Sequence, residues 1–100
     1  MLEISNTVNG DVSEVKLVGR LDVKAAKSAD QAFAQAVEAS KNVVLDMSEL
    51  DYIASAGLRA LKRPRSDVDA KGGTLVLRDV QSNVMELFEM TGFAVMFTFE

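Results

Sequence analysis

An α/β fold, a mixed sheet of about five strands with three main helices, is what the apolar pattern of the chain predicts. Three observations carry the prediction. Two strand-like segments flank Asn9-Gly10-Asp11, a long run at three and four spacing follows Asp22, and short apolar runs then alternate with helical ones. At 100 residues the chain is long enough for one core and short for two, so a single domain over residues 1–100 is expected.

Leu2 and Ile4 alternate with polar neighbours, and beyond the turn signal Val15 and Leu17 share a face, which predicts a β-hairpin. Gly19-Arg20-Leu21 leads into Asp22, a preferred N-cap type. Ala26, Ala29, Phe33, Ala36 and Val37 then give a helix from about Val23 to Ser40 its apolar stripe. Val43-Val44-Leu45, closed by Asp46, reads as a strand covered on both faces, and the polar Ser48, Glu49 and Asp51 read as a loop after it.

From Ser55 onward, Leu58, Leu61 and Val68 predict a second helix, stopped by Lys71-Gly72-Gly73 and followed by a buried strand Thr74-Leu75-Val76-Leu77. Pro64, within Lys62-Arg63-Pro64-Arg65, removes a backbone hydrogen bond at a typical cost of about 3 kcal/mol. A kink or break is expected there, with Ser66-Asp67 placed to recap a following turn. In the third helix Ser82 is the expected cap, Val84, Leu87 and Phe88 the inward face and Gly92 the stop, with Phe93 to Phe99 as a final strand. Strands that follow helices in this way pair in parallel through right-handed crossovers.

Composition closes off much chemistry. Without cysteine there is no disulfide, thiolate metal site or nucleophilic thiol. Without histidine there is no Ser-His-Asp triad, imidazole base or His-ligated zinc. No phosphate-cradling Gly-x-x-x-x-Gly-Lys-Ser/Thr loop is present, so no cofactor and no metal is expected, and Gly72-Gly73 fits a helix stop better than a nucleotide site. The net charge of −4 argues against nucleic acid as the partner. Met1-Leu2-Glu3-Ile4-Ser5-Asn6 lacks the basic start and apolar run of a signal peptide, and no stretch approaches the roughly 20 apolar residues of a membrane span. A cytoplasmic location without direct membrane contact is the resulting expectation.

The segment Asp51-Tyr52-Ile53-Ala54-Ser55-Ala56-Gly57-Leu58-Arg59 carries the functional hypothesis. It sets a hydroxyl between two alanines where a helix is expected to begin. Small neighbours let another protein approach Ser55 closely, and the first-turn N–H groups and positive end of the helix dipole favour a phosphate there. A phosphoserine adds about −1.5 to −2 charges, enough to reverse binding at a modest structural cost. The plain alternative is that Ser55 is an N-cap, as serines often are.

Leu50 to Leu61 resembles the signature of the STAS family of anti-sigma factor antagonists. Gly19-Arg20-Leu21-Asp22, Val43-Val44-Leu45-Asp46, Lys71-Gly72-Gly73-Thr74-Leu75, Asn83 to Phe88 and Thr91-Gly92-Phe93 resemble it too, in order and spacing, so nearly the whole chain is covered. The resemblance implies a STAS-like fold and a protein that is no enzyme. Its partner would be an anti-sigma factor serine kinase, bound in the unphosphorylated form and released on phosphorylation of the residue aligned with Ser55. A PP2C-like phosphatase would restore the active form. Asp22, Tyr52, Ala54, Ala56, Gly57, Leu58 and Arg59 would form the partner-binding surface. Ala54 departs from the many members that carry an aspartate or serine before the modified serine, and Pro64 departs from an unbroken second helix.

Other readings stand beside this one. Asp22 is most simply a helix cap, and Asp46 either borders the site or makes a turn. Tyr52 is either a contact aromatic or a half-buried flank of a strand end. Met85, Met90 and Met96 read as soft packing residues. The competing function is a constitutive adaptor subunit of a transporter or signalling scaffold, with no phospho-switch; a small hydrolase using Asp22, Asp46 and Tyr52 comes last, for want of paired-carboxylate spacing.

Overall fold

The computed structural model describes residues 1–100. The elements run β1 (Leu2–Asn9), β2 (Val12–Leu21), α1 (Val23–Ala39), β3 (Asn42–Ile53), α2 (Ser55–Ala60), α3 (Lys62–Ala70), β4 (Leu75–Arg78), α4 (Ser82–Met90), a 3₁₀ turn (Phe93–Met96) and β5 (Thr98–Phe99). One five-stranded sheet has the order β1-β2-β3-β4-β5. The hairpin pair is antiparallel and the other pairs are parallel, as the alternation of strand and helix requires. Asn9 faces Val12 across the hairpin, and Gly10 takes the left-handed conformation (φ 59°) that closes so short a turn.

Every strand face that is fully buried lies on one side of the sheet. Val15 and Leu17 on β2, Val43, Leu45, Met47, Leu50 and Ile53 on β3, and Leu75 and Leu77 on β4 form one cluster with Phe33 and Val37 of α1, Leu58, Leu61, Val68, and Val84 and Phe88 of α4. All helices therefore cover that side. The opposite face is open and carries Glu14, Lys16, Asp46 and Arg78, which corrects the expectation of a strand covered on both faces: Val44 is only half-buried. Lys16 pairs there with Glu49, and Arg78 with both Glu14 and Glu100.

Three further expectations change. Ser48, Glu49 and Asp51 are not a loop but the second half of the twelve-residue β3. Two irregularities let β3 gain a residue on β2, first between Lys16 and Val18 and again between Gly19 and Arg20, and this disturbs the alternation that would have marked a strand. Ser82 is not the cap of α4; Gln81 precedes it without a side-chain capping bond. Its amide Nε2 instead donates to the Ser48 carbonyl (2.7 Å), as Asn83 Nδ2 does to that of Asp51 (2.7 Å), tying α4 to the end of β3. The last strand shrinks to Thr98–Phe99, because Gly92 turns left-handed (φ 79°) and the next four residues coil so that Phe97 and Phe99 meet Phe88 edge-on, at centroid distances of 5.8 and 5.5 Å.

The expected break at Pro64 occurs, and its place follows from the proline. In a continuous helix the N–H at position 64 would bond the Ala60 carbonyl, so α2 stops at Ala60. After Leu61, Pro64 sits in the first turn of α3, where no N–H is required. Ser66 and Asp67 lie inside α3 and recap nothing. Of the methionines, Met85 and Met96 are half-buried, but Met90 is 75% exposed and packs little. No helix is long and apolar enough to cross a membrane.

Candidate functional site

The ends of β2 and β3 define the site. Leu21 faces Ile53 in the parallel register, and the Ala54 N–H donates to the Leu21 carbonyl at 2.9 Å, so the two strands finish side by side and Asp22 and Ser55 follow directly from that pair. Asp22 turns into α1 as its N-cap, its carboxylate accepting the Ala25 N–H at 2.9 Å. Ala54 holds extended backbone (φ −93°, ψ 167°) and is the N-cap of α2, with no side chain to close the cap.

Ser55 is therefore the first residue of α2 and not its cap, which corrects the plain alternative. Its side chain is exposed and makes no capping bond. Ala56, half-buried, follows, then two residues the sequence assigned to the partner surface but which lie inside. Gly57 is buried so closely that a Cβ would come 2.8 Å from the Leu21 carbonyl oxygen and 2.9 Å from Ile53 Cγ1. Leu58 is 1% exposed and belongs to the core. Both hold the segment in place and neither can touch a partner directly.

Arg59 returns to the surface. With Ala26, Asp30 and Ala34 of α1 and Ala56, Ala60, Arg63, Pro64 and Asp67 of α2 and α3, it lines a groove of about 500 Å³ between the helices. The alanines and the proline make its floor apolar and shallow, and the charged side chains form its rim. Arg63 belongs to the basic cluster around Pro64 that the sequence sets near the docking face, whereas no sequence motif singles out Asp30 and Ala34. The alanines at 26 and 34 and the aspartate at 30 recur at four-residue spacing on α1, which was the available signal.

Tyr52 lies outside this cluster. It is 40% exposed and faces away from the core, beneath the guanidinium of its strand partner Arg20, whose central carbon is 4.2 Å from the ring centroid. Asp46 is also elsewhere, in the middle of β3 on the open face. Burial alone would raise its pKa, yet hydrogen bonds from the Ser48 hydroxyl (2.7 Å) and N–H (3.0 Å), with the charges of Lys16 and Arg78, hold the carboxyl below the ordinary aspartate range. Lys16 is raised, first by its hydrogen bond to Glu49 and then by that charge. The structure thus brings together Ala54, Ser55, Ala56 and Arg59, sets Asp22 at the neighbouring strand end, where it lines a separate cleft with Met1 and Leu2, and leaves Tyr52 and Asp46 apart.

Comparison with known proteins matches residues 3–100 to the STAS domain family. BtrV of Bordetella bronchiseptica, whose name provisionally makes it an anti-sigma factor antagonist, is 41% identical over 94 residues, covering 94% of this chain and 68% of its own. Among solved structures, a STAS domain protein from Planctomyces limnophilus superposes with a TM-score of 0.86 at 17% identity, over 96% of this chain and 87% of that one. The Bacillus cell fate determinant SpoIIAA in its phosphorylated form does so with a TM-score of 0.74 at 16% identity, over 100% of this chain and 91% of that one.

Proposed function

Because the chain belongs to the STAS domain family, we propose that it works as an anti-sigma factor antagonist, a non-catalytic cytoplasmic domain that captures an anti-sigma factor serine kinase and is switched off by phosphorylation of Ser55. The observation that carries this reading is the exposed Ser55 hydroxyl, first in α2 and engaged in no cap, between alanines and beside a shallow groove. A serine occupied as a cap would have to give up that bond to react. This one is free to enter a kinase active site.

In the switching step Ser55 Oγ attacks the γ-phosphorus of ATP held by the kinase. The bond from that phosphorus to its bridging oxygen breaks, ADP leaves, and the hydroxyl proton passes to a base of the kinase. A PP2C-like phosphatase reverses the modification with water, releasing inorganic phosphate. Asp22, Ala54, Ala56 and Arg59 form the contact surface around the serine, while Gly57 and Leu58 act from beneath by fixing its height. A phosphate of about −1.5 to −2 charges at a close-packed contact is enough to repel a partner that fits the neutral serine. Ala54 offers no hydroxyl or carboxylate beside Ser55, so orientation of the nucleophile falls to the kinase.

The test is a pull-down from the native host with wild type, Ser55→Ala and Ser55→Asp as parallel baits, partners being identified by mass spectrometry. A serine-kinase-type partner held by the first two and lost with the third is the expected result. The same partners on all three baits, or no kinase on any, would overturn the reading and favour a fixed adaptor.

A further inference from the structure

Resting on the phospho-switch just described, we infer that Arg59 is the phosphate-binding residue of the modified chain: its guanidinium pairs with phosphoserine 55 in the same molecule and is thereby withdrawn from the groove between α1 and α2–α3. Several observations converge on this. Ser55 and Arg59 stand four residues apart on α2, both exposed, so they occupy one face a turn apart, with the acidic group at the amino-terminal position that favours such a pair. The guanidinium also suits phosphate, which it can grip with two parallel N–H donors.

The cations that follow Arg59 on α3 have partners of their own. Arg63 faces Asp67 at 4.0 Å, Arg65 faces Asp69 at 3.9 Å, and Lys62 lies 6.0 Å from the Phe93 ring. Arg59 makes no ion pair: no Asp or Glu occurs between residues 52 and 66, Asp67 answers to Arg63, and Asp30, across the groove, does not reach the Arg59 guanidinium. The helix behind Ser55 is also short: six residues make less than two turns of aligned peptide dipoles, so a phosphate there depends more on a side-chain cation than it would on a long helix.

The groove feels the change. Unmodified, its rim is balanced by Arg59 and Arg63 against Asp30 and Asp67. Once Arg59 is held by a phosphate of about −1.5 to −2 charges, the rim turns net negative at the end nearest the serine. One modification thus alters both the serine and the groove.

The experiment needs no kinase. Phosphoserine is incorporated genetically at position 55 of the full chain, and the phosphate is titrated by ³¹P NMR in wild type, Arg59→Ala and Arg59→Lys, with Arg63→Ala as a neighbouring control. The second ionisation of the phosphate is expected about half a pH unit lower with Arg59 than with alanine, with lysine in between and Arg63→Ala like wild type, the difference shrinking in high salt. The Arg59 Nε–H resonance should shift on phosphorylation. Equal titration in wild type and Arg59→Ala, or a shift lost only in Arg63→Ala, would overturn the assignment. Because the phosphate is installed directly, failure here removes the role of Arg59 and leaves the pull-down to judge the switch, and failure of the pull-down leaves this titration standing.

Discussion

Replacing Gly57 by alanine tests the claim that this glycine is a packing residue and not a contact. The new Cβ would stand 2.8 Å from Leu21 Cγ, 2.8 Å from the Leu21 carbonyl oxygen and 2.9 Å from Ile53 Cγ1. Carbon atoms prefer separations of about 3.5–4.0 Å, so roughly 0.6 Å or more must be found on each side. Leu21 is fully buried, and its carbonyl is held by the Ala54 N–H, so the neighbours cannot retreat singly and α2 must lift from the strand ends. Overpacking typically costs about 1–3 kcal/mol, and three contacts below 3 Å with no room to retreat put this site in the upper half, about 2–3 kcal/mol, while alanine regains about 1 kcal/mol of helix propensity over glycine. A net loss of about 1–2 kcal/mol follows, which lowers Tm by about 4–16 °C in a domain of this size. Thermal unfolding followed by circular dichroism would measure it. Hydrogen exchange at the Ala54 amide should quicken in parallel, because its bond to Leu21 bridges the displaced elements. An unchanged or raised Tm would refute the reasoning, since propensity alone predicts a gain.

Other substitutions probe separate joints of the fold. Lys71 Nζ donates to the Val37 and Ser40 carbonyls and so closes the carboxyl end of α1; Lys71→Met should cost about 1 kcal/mol, read as a lower urea midpoint with an unchanged m-value. Ser13 and Ser40 share a buried hydrogen bond of 2.8 Å, so either single alanine substitution strands a hydroxyl at about 1–3 kcal/mol, and the double variant should cost less than the sum of the two. Because the folded Asp46 carboxyl is held below its ordinary range, its contribution to stability is present above the unfolded carboxylate range and fades as pH falls through the folded value. The stability gap between wild type and Asp46→Asn should therefore be flat above about pH 5 and close below it; a gap that ignores pH would count against the Ser48 hydrogen bonds.

Local rules were legible and tertiary ones were not. Asp22 was recognisable as a cap because an N-cap depends only on the next three residues, and α1 because its stripe repeats over seventeen. The far half of β3 was hidden because its irregularities place Met47, Leu50 and Ile53 three apart, which is no strand period, while Ser48, Glu49 and Asp51 on the uncovered side look like a loop. Gly57 and Leu58 look accessible only through their adjacency to Ser55. The stripe that includes Leu58 already pointed inward, and only the approach of α2 to Leu21 and Ile53 shows why position 57 must lack a side chain. The groove was illegible because its walls, α1 and the α2–α3 pair, are brought together by a crossover through β3.

The departure at Pro64 bears directly on the switch. An unbroken second helix would back Ser55 with a long run of peptide dipoles and would spread a disturbance at its start over many turns. Here the missing N–H at position 64 ends the helix at Ala60, and the core residues Leu58 and Leu61 pin both sides of the break. Charge added at Ser55 must then be received within one short segment whose own cation is Arg59. The response to phosphorylation should be screened by salt, as befits an exposed pair, and should be indifferent to charge changes beyond Leu61. Substituting Arg65, which already answers to Asp69 on α3, provides the comparison: it should leave the Ser55 phosphate titration unmoved where Arg59→Ala shifts it.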